Sequence, residues 1–408
     1  MKKIEILKDK HIWEINGFRA YGAHTGLKYK RKDLTIIHSD SVCQAAAVFT
    51  RNKLKAAPLI VTKEHLADGR AQAVVCNSGN ANACTGRQGL EDARRMAEIT
   101  ARELGCSPDD VIVMSTGVIG LMLPMDKIER SIIKVASMLG KEKGSEAAEG
   151  ILTTDKVSKE MVVEAEIGGK TVRIGAIAKG SGMIHPNMAT MLSFIVTDVC
   201  ISREDLFKAL RESVDQTYNM ISVDGDTSTN DTVAIMANCK AGNHPVKHGS
   251  RDYDDFLEAL NLLNGEMAKK IVADGEGATK VFEVEVLNAP TLSDARKMAK
   301  SIISSSLVKA AVHGGDPNWG RVMCAAGYAD TDVEIKESSM LYLSADGETM
   351  PLFEDGMPTD YSEEKAKELM GSKFIRFILD LKQGECSSMA WGCDLSNEYV
   401  NINAHYRT

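Results

Sequence analysis

The segment AKGSGMIHPNMATMLSF places a cation, a flexible turn and a hydroxyl group close together in the chain. Lys179 precedes the GSG turn, and Pro186 and Asn187 favour a turn or an extended backbone. Thr190 follows the small residue Ala189 and begins an apolar run. A threonine hydroxyl becomes a nucleophile only when a base takes its proton, and no Ser/His/Asp arrangement is evident. Two interpretations remain: Thr190 is a β-branched residue that starts a strand, or it is a nucleophile with an unusual base.

Cutting the chain before Thr190 would supply that base. The freed α-amino group has a pKa of about 7.7–8.0, so much of it is neutral near physiological pH. It belongs to the same residue as the hydroxyl and is therefore held close to it. The cut itself requires the Thr190 hydroxyl to attack the Ala189 carbonyl, and the resulting ester is then hydrolysed. A strained turn would help to expose that carbonyl. The residues are compatible with this N-terminal-nucleophile device without establishing it.

Composition excludes several other classes of protein. A chain of 408 residues predicts two or three domains, and a net charge of −8 argues against nucleic acid as a partner. The first residues lack an apolar signal region and no long apolar run follows, which predicts a cytoplasmic protein without a membrane span. The 9 cysteines form no CxxC pair and are expected to be reduced and mostly buried. The histidines show no metal-binding spacing, so no metal site is predicted.

The chain alternates short β-rich runs with helical stretches, and polar loops follow several of the strands. We expect strands near 71–77, 111–114, 174–178, 190–199, 232–238 and 282–289, and helices near 89–104, 204–221, 254–275, 292–311 and 362–381. This mixed order predicts the α+β class, with α and β layers. Loops at strand ends commonly build pockets in such folds. A domain boundary is expected near residue 280.

Long motifs along almost the whole chain resemble those of the ornithine acetyltransferase (glutamate N-acetyltransferase) family. They are GFRAYGAHTGLKYKRKDL, AAAVFTRNKLKAAP, CNSGNANACTG, STGVIG, TTD, KGSGMIHPNMATML, DGDTSTNDT, DGEGATK, DPNWGR and WGCDLSNEYVNINAHYRT. The resemblance implies an αββα sandwich of the self-processing N-terminal-nucleophile kind. It implies a catalytic domain over 1–280 and a smaller α/β domain over 281–408, whose tail returns to the active site. It also implies a cut between Ala189 and Thr190, which gives an α chain of 1–189 and a β chain of 190–408 in an α2β2 assembly.

The resemblance implies transfer of an acetyl group from N2-acetyl-L-ornithine to L-glutamate in arginine biosynthesis, through an acetyl-Thr190 intermediate. Thr116 and Gly117 match the family's oxyanion-stabilising pair. The positions that match the family's substrate-binding residues are Thr153, Lys179, Thr190, Glu276, Asn403 and Thr408. We expect Lys179 to pair with a substrate carboxylate and Glu276 with the ornithine ammonium group. No metal or organic cofactor is implied, although some members also use acetyl-CoA as an acetyl donor.

The C-terminal tail departs slightly from the family pattern. The family usually reads INADYRT, whereas this chain reads INAHYRT, with His405 in place of the aspartate. Two alternatives remain open beside the transferase. An N-terminal-nucleophile amidase or aminopeptidase would use the same Thr190 with water as the acceptor. An amino-acid-binding homologue would keep the Ala189–Thr190 bond intact. Taken alone, Lys179 and Glu276 would be interpreted as ordinary surface charges.

Overall fold

The computed structural model describes residues 4–185 and 191–405, and within these ranges the chain forms two β-sheets and eleven α-helices. The strands are β1 (Ile4–Leu7), β2 (Phe18–Ala23), β3 (Leu34–Phe49), β4 (Arg70–Asn80), β5 (Val111–Val118), β6 (Lys159–Ile167), β7 (Lys170–Lys179), β8 (Leu192–Thr197), β9 (Ile221–Ser222), β10 (Thr232–Ala237), β11 (Val281–Ala289), β12 (Met340–Ala345), β13 (Glu348–Glu354), β14 (Met357–Pro358), β15 (Phe374–Asp380) and β16 (Cys386–Cys393). The helices are α1 (Ala57–His65), α2 (Gly86–Leu104), α3 (Met125–Ala136), α4 (Glu146–Gly150), α5 (Arg203–Gln216), α6 (Arg251–Ala273), α7 (Leu292–Ser304), α8 (Ser306–Gly314), α9 (Trp319–Gly327), α10 (Glu363–Met370) and α11 (Asn397–His405). The predicted α+β class is confirmed.

The larger sheet takes strands from both sides of the segment 186–190. Its order is β1-β6-β7-β8-β10-β3-β4-β5, and β2 pairs with β3. In the middle, β8 lies antiparallel to β7 and parallel to β10, while β10 lies antiparallel to β3. β7 and β8 are buried along most of their length, as expected for central strands that are covered on both faces. The chain before and after 186–190 therefore shares one hydrogen-bonded layer.

The smaller sheet has the order β14-β13-β12-β15-β11-β16-β9. Its edge strand β9 comes from well before residue 280 and pairs in parallel with β16, where Ile221 faces Trp391. One apolar core also runs through strands of both sheets. The two sides of residue 280 thus share a sheet and a core, and the division into domains at 280 stays a prediction.

Helix α6 lies against both sheets and leads directly into a site loop. Ser250 caps its first turn by accepting a hydrogen bond from the Tyr253 backbone N–H. Phe256, Leu263 and Met267 are among the residues that recur at helical spacing and are fully buried. The helix packs against β6 and β7 of the larger sheet and against β16 and β9 of the smaller one. Among the described helices, none combines the length and the apolarity needed to cross a membrane.

The stretch 362–381 was predicted to be one helix, and this prediction is wrong. Helix α10 ends at Met370, and the residues from Phe374 to Asp380 form strand β15 between β12 and β11. Alternate residues of this strand, Ile375, Phe377 and Leu379, are buried, and this period of two belongs to a strand. The helical interpretation failed because the aromatic and β-branched residues of FIRFILD favour a strand.

The predicted helix 292–311 is divided at Ser305. Its backbone is extended (φ −67°, ψ 115°), and its hydroxyl accepts a hydrogen bond from the Val308 N–H, so that α8 starts anew after α7. A serine favours such a cap over a helix interior because its side chain competes for backbone hydrogen bonds. The apolar spacing alone did not show this interruption.

All the cysteines had been expected to be reduced, and this expectation is wrong for two of them. Cys200 and Cys239 form a disulfide just beyond the ends of the neighbouring strands β8 and β10. Adjacent parallel strands place these two residues side by side although the sequence separates them, so their pairing gave no local signal. Among the free cysteines, Cys84 and Cys324 are exposed.

Candidate functional site

Loops from both sides of the segment 186–190 surround one cavity. Six of the predicted site residues line it together: Thr116, Gly117, Thr153, Lys179, Glu276 and Asn403. Gly182 and Met183, shortly before residue 186, line it as well. The predicted cleavage site Ala189–Thr190 and the terminal Thr408 lie outside the described residues. The cavity therefore collects every predicted binding or oxyanion residue that the structure describes.

The predicted oxyanion pair belongs to the end of strand β5 and not to a loop beyond it. Gly117 has φ +131°, and a Cβ there would lie 2.4 Å from the Gly79 carbonyl carbon of the neighbouring strand β4. Only glycine fits that position. The Asn230 amide donates to the Ser115 carbonyl (2.8 Å), which fixes the strand end. Thr116 thus presents its hydroxyl and backbone from a rigid element, which suits the stabilisation of a developing oxyanion.

Lys179 and Glu276 provide opposite charges in this cavity. They are only 8% and 4% exposed, so neither is an ordinary surface charge. Glu276 accepts a hydrogen bond from the Asn403 amide (2.8 Å), and Gly182 leaves room for its carboxylate, which a Cβ would approach to 2.4 Å. Within the described ranges neither Lys179 nor Glu276 has a salt-bridge partner. A buried charge without a direct ion pair is costly unless nearby charges or a ligand compensate for it.

A buried ion network behind the cavity joins three of the site loops. The Lys159 ammonium is fully buried and contacts Asp155 (2.7 Å) and Asp274 (2.5 Å). Asp155 also accepts from the Gly180 N–H (2.7 Å), beside Lys179. Sequence reasoning missed this network, because TTD and DGEG were read only as motifs and the lysine carried no signal of its own.

The charges around Asp155 decide its protonation. Burial by itself would raise its pKa, but Lys179, Lys159 and the hydrogen bond from the Thr153 N–H outweigh burial and hold the pKa of Asp155 below its ordinary value. Asp155 is therefore ionised at neutral pH. Together with Asp274 it balances the charge of Lys159 and adds a negative field behind Lys179.

The C-terminal helix α11 reaches into the site from the far end of the chain. The Ser396 hydroxyl donates to the Gly277 carbonyl (2.6 Å) at the start of this segment. Gly277 has φ +72°, and a Cβ there would lie 2.5 Å from the Tyr399 nitrogen. Further along, the Asn403 amide meets Glu276. Within the described residues this helix therefore reaches the cavity, while His405 is exposed. The return of the tail to an active site stays a prediction.

The loop that precedes β10 holds the chain just before residue 186. Asp224 accepts hydrogen bonds from the backbone N–H groups of Met183 (2.5 Å) and Ile184 (2.8 Å). The Thr227 hydroxyl donates to the His185 carbonyl (3.0 Å). Sequence reasoning assigned no role to Asp224, since one acid in DGDTSTND cannot be told from the others before the loop is folded.

Comparison with known proteins gives consistent similarities over this whole architecture. The family model named ArgJ matches residues 19–408. The arginine biosynthesis bifunctional protein ArgJ of Caldanaerobacter subterraneus subsp. tengcongensis is 48% identical over 405 residues, which are 99% of this chain and 100% of the relative. That of Thermotoga neapolitana is 50% identical over 394 residues, which are 96% and 99% of the two chains. These similarities extend through every loop that lines the cavity.

Two solved structures are also similar to parts of this chain. One is the arginine biosynthesis bifunctional protein ArgJ of Bacillus halodurans, with 45% identity and a TM-score of 0.44. The other is the ornithine acetyltransferase of Mycobacterium tuberculosis in complex with ornithine, with 36% identity and a TM-score of 0.42. Each comparison covers 46% of this chain and 100% of the other.

Proposed function

The chain belongs to the ArgJ family and is an acetyltransferase of arginine biosynthesis. We propose that it transfers the acetyl group from N2-acetyl-L-ornithine to L-glutamate. The observation that carries the proposal is the pair of buried, opposite charges in one cavity with Thr116 and Gly117. Acetylornithine and glutamate both carry carboxylates, which suit Lys179. The ornithine ammonium group suits Glu276.

We propose that Thr190 is the nucleophile after a self-catalysed cut at Ala189–Thr190. The hydroxyl of Thr190 loses its proton to the freed α-amine and attacks the acetyl carbonyl of acetylornithine. Thr116 and Gly117 donate hydrogen bonds to the oxyanion, and ornithine leaves after its nitrogen accepts a proton. Glutamate then enters the same cavity, and its α-amine takes the acetyl group from Thr190. The cycle is ping-pong acyl transfer and uses no metal or organic cofactor.

The test is the intact mass of the purified protein beside a Thr190→Ala variant. Two fragments divided between 189 and 190 in the wild type, and one full-length chain in the variant, would support the proposal. An acetyl-transfer assay with acetylornithine and glutamate then separates the alternatives. Acetate release without acetylglutamate would indicate an amidase, and an uncut wild type without transfer would indicate a binding protein.

A second acetyl donor is favoured by the name "bifunctional" that the relatives carry. We propose acetyl-CoA for that role, acting on the same Thr190. Formation of acetylglutamate from acetyl-CoA and glutamate, lost in Thr190→Ala, is the expected result. An α2β2 assembly of the fragments is likewise proposed, and its mass in solution tests it. A cytoplasmic location stays a prediction.

A further inference from the structure

Among the described acids of the cavity wall, Asp224 is the one whose carboxylate binds the backbone just before the proposed cleavage segment. Its two oxygens accept separately from neighbouring N–H groups, Oδ2 from Met183 (2.5 Å) and Oδ1 from Ile184 (2.8 Å). Charge-assisted hydrogen bonds of this kind are about twice as strong as neutral ones. The Val223 N–H also donates to the Ile184 carbonyl (2.7 Å). Both the backbone N–H and the backbone carbonyl of Ile184 are therefore held by residues of one short loop.

The clamped backbone does not adopt a conformation that this sequence favours. Met183 has φ +57°, in the left-handed region where a residue with a long side chain is uncommon. Such a conformation costs of the order of 1–3 kcal/mol and persists only when its surroundings determine it. The carboxylate of Asp224 provides those surroundings, because it faces the N–H of Met183 and of the next residue.

Further contacts tie the same loop to the chain on either side. The Thr227 hydroxyl donates to the His185 carbonyl (3.0 Å), the last described carbonyl before residue 186. Asp224 also lines the cavity together with Tyr399 of α11, and burial and the Asp224 carboxylate both raise the pKa of the Tyr399 hydroxyl. Asp224 thus connects the chain that enters the cleavage segment with the C-terminal helix of the site.

We propose that Asp224 is a positioning residue for self-cleavage, which holds the backbone of Met183 and Ile184 shortly before the proposed cleavage site. This inference rests on the proposed function. Attack on the Ala189 carbonyl requires the carbonyl to stay near the Thr190 hydroxyl, and small misplacements of reacting groups slow such reactions strongly. After the cut, the 183–185 segment no longer has to present a bond to Thr190. The clamp therefore acts on the cut more than on acetyl transfer.

The experiment follows cleavage of the full-length chain made by cell-free synthesis, with the amount of uncut precursor measured over time by intact mass. Asp224→Asn keeps the size of the side chain but leaves one oxygen to accept two N–H groups, and we expect cleavage to slow about 10- to 100-fold. Asp226→Asn is the matched control, because its carboxylate accepts from no backbone N–H within the described residues, and its cleavage rate should equal that of the wild type. Thr227→Val removes one hydroxyl at equal size and should slow cleavage about 3- to 10-fold.

A second measurement separates positioning from general damage. Once fully cut, the Asp224→Asn enzyme should lose much less in kcat for acetyl transfer than the precursor lost in cleavage rate, each relative to the wild type. An equal fall in cleavage rate and kcat would overturn the proposal, as would an equally slow Asp226→Asn chain. If the wild type is cut and both Asp224→Asn and Thr227→Val are cut just as fast, this inference fails while the proposed function stands. A wild type that is never cut overturns both.

Discussion

Replacing Lys159 by methionine removes the cation from the buried network and keeps the length and apolar part of the side chain. The carboxylates of Asp155 and Asp274, with exposed fractions of 0% and 5%, would then face each other without a positive charge between them. Breaking a buried ion pair from one side costs about 3–5 kcal/mol. Backbone N–H groups remain on both carboxylates, so we expect the lower end, about 3 kcal/mol of unfolding free energy. That is a large share of the typical 5–15 kcal/mol.

The pH dependence of this loss has a definite sign. The pKa of Asp155 in the folded protein lies below its unfolded value, because Lys179 and Lys159 outweigh the effect of burial. A carboxyl with a lowered folded pKa contributes stability above its unfolded pKa of about 3.9, and this contribution is lost as the pH falls toward the folded pKa. The difference between wild type and Lys159→Met should therefore be largest near neutral pH and shrink in acid.

Urea denaturation followed by circular dichroism measures this loss. Both chains should carry Thr190→Ala, so that a single uncut polypeptide unfolds in each case. Lys156→Met is the matched control, because Lys156 is exposed and contributes only its backbone N–H to Asp274; its stability should change by less than about 0.5 kcal/mol. A loss below about 1 kcal/mol for Lys159→Met, or the same loss at acid and neutral pH, would refute the electrostatic reasoning.

Three further predictions concern the cavity itself. Thr116→Val should lower kcat for acetyl transfer by about 10²–10³-fold in a steady-state assay. A decrease of less than about tenfold would show that the Thr116 hydroxyl does not stabilise the oxyanion. Gly117→Ala should lower kcat at least as far, since its Cβ would collide with the Gly79 backbone, whereas Gly144→Ala, where a Cβ meets nothing closer than 3.9 Å, should not. Glu276→Gln should raise the KM for acetylornithine about tenfold and the KM for glutamate much less. Equal changes in both would contradict the pairing of Glu276 with the ornithine ammonium group.

Local patterns predicted the elements whose periodicity is plain. The helix near 89–104 appears as α2 and the strand near 232–238 as β10. The patterns failed where one apolar run contained two elements, as at Ser305 and at Phe374. A serine cap and a period of two are short signals, and a long apolar stretch masks them until neighbouring strands impose their pairing.

The site residues were identified through long motifs that match a family, and the structure places those it describes around one cavity. The residues that hold them there could not be identified in this way. Lys159 looks like any lysine at the start of a strand, and Asp274 is one acid in a polar loop. Their importance arises only when the fold brings them together behind Lys179, across a long separation in sequence. Tertiary contacts of this kind leave no periodic trace.

The sheet order also explains how a cut chain would stay one protein. A break between 189 and 190 leaves β7 on the first fragment and β8 and β10 on the second. Yet β8 pairs with β7 on one side, and β10 pairs with β3 on the other. The second fragment thus supplies two central strands to a sheet whose remaining strands belong to the first. The Lys159–Asp274 contact and the Asp224 clamp cross the same division. The fragments can therefore separate only if the core of the sheet opens, and the cut can free an α-amine at Thr190 without dismantling the cavity that uses it.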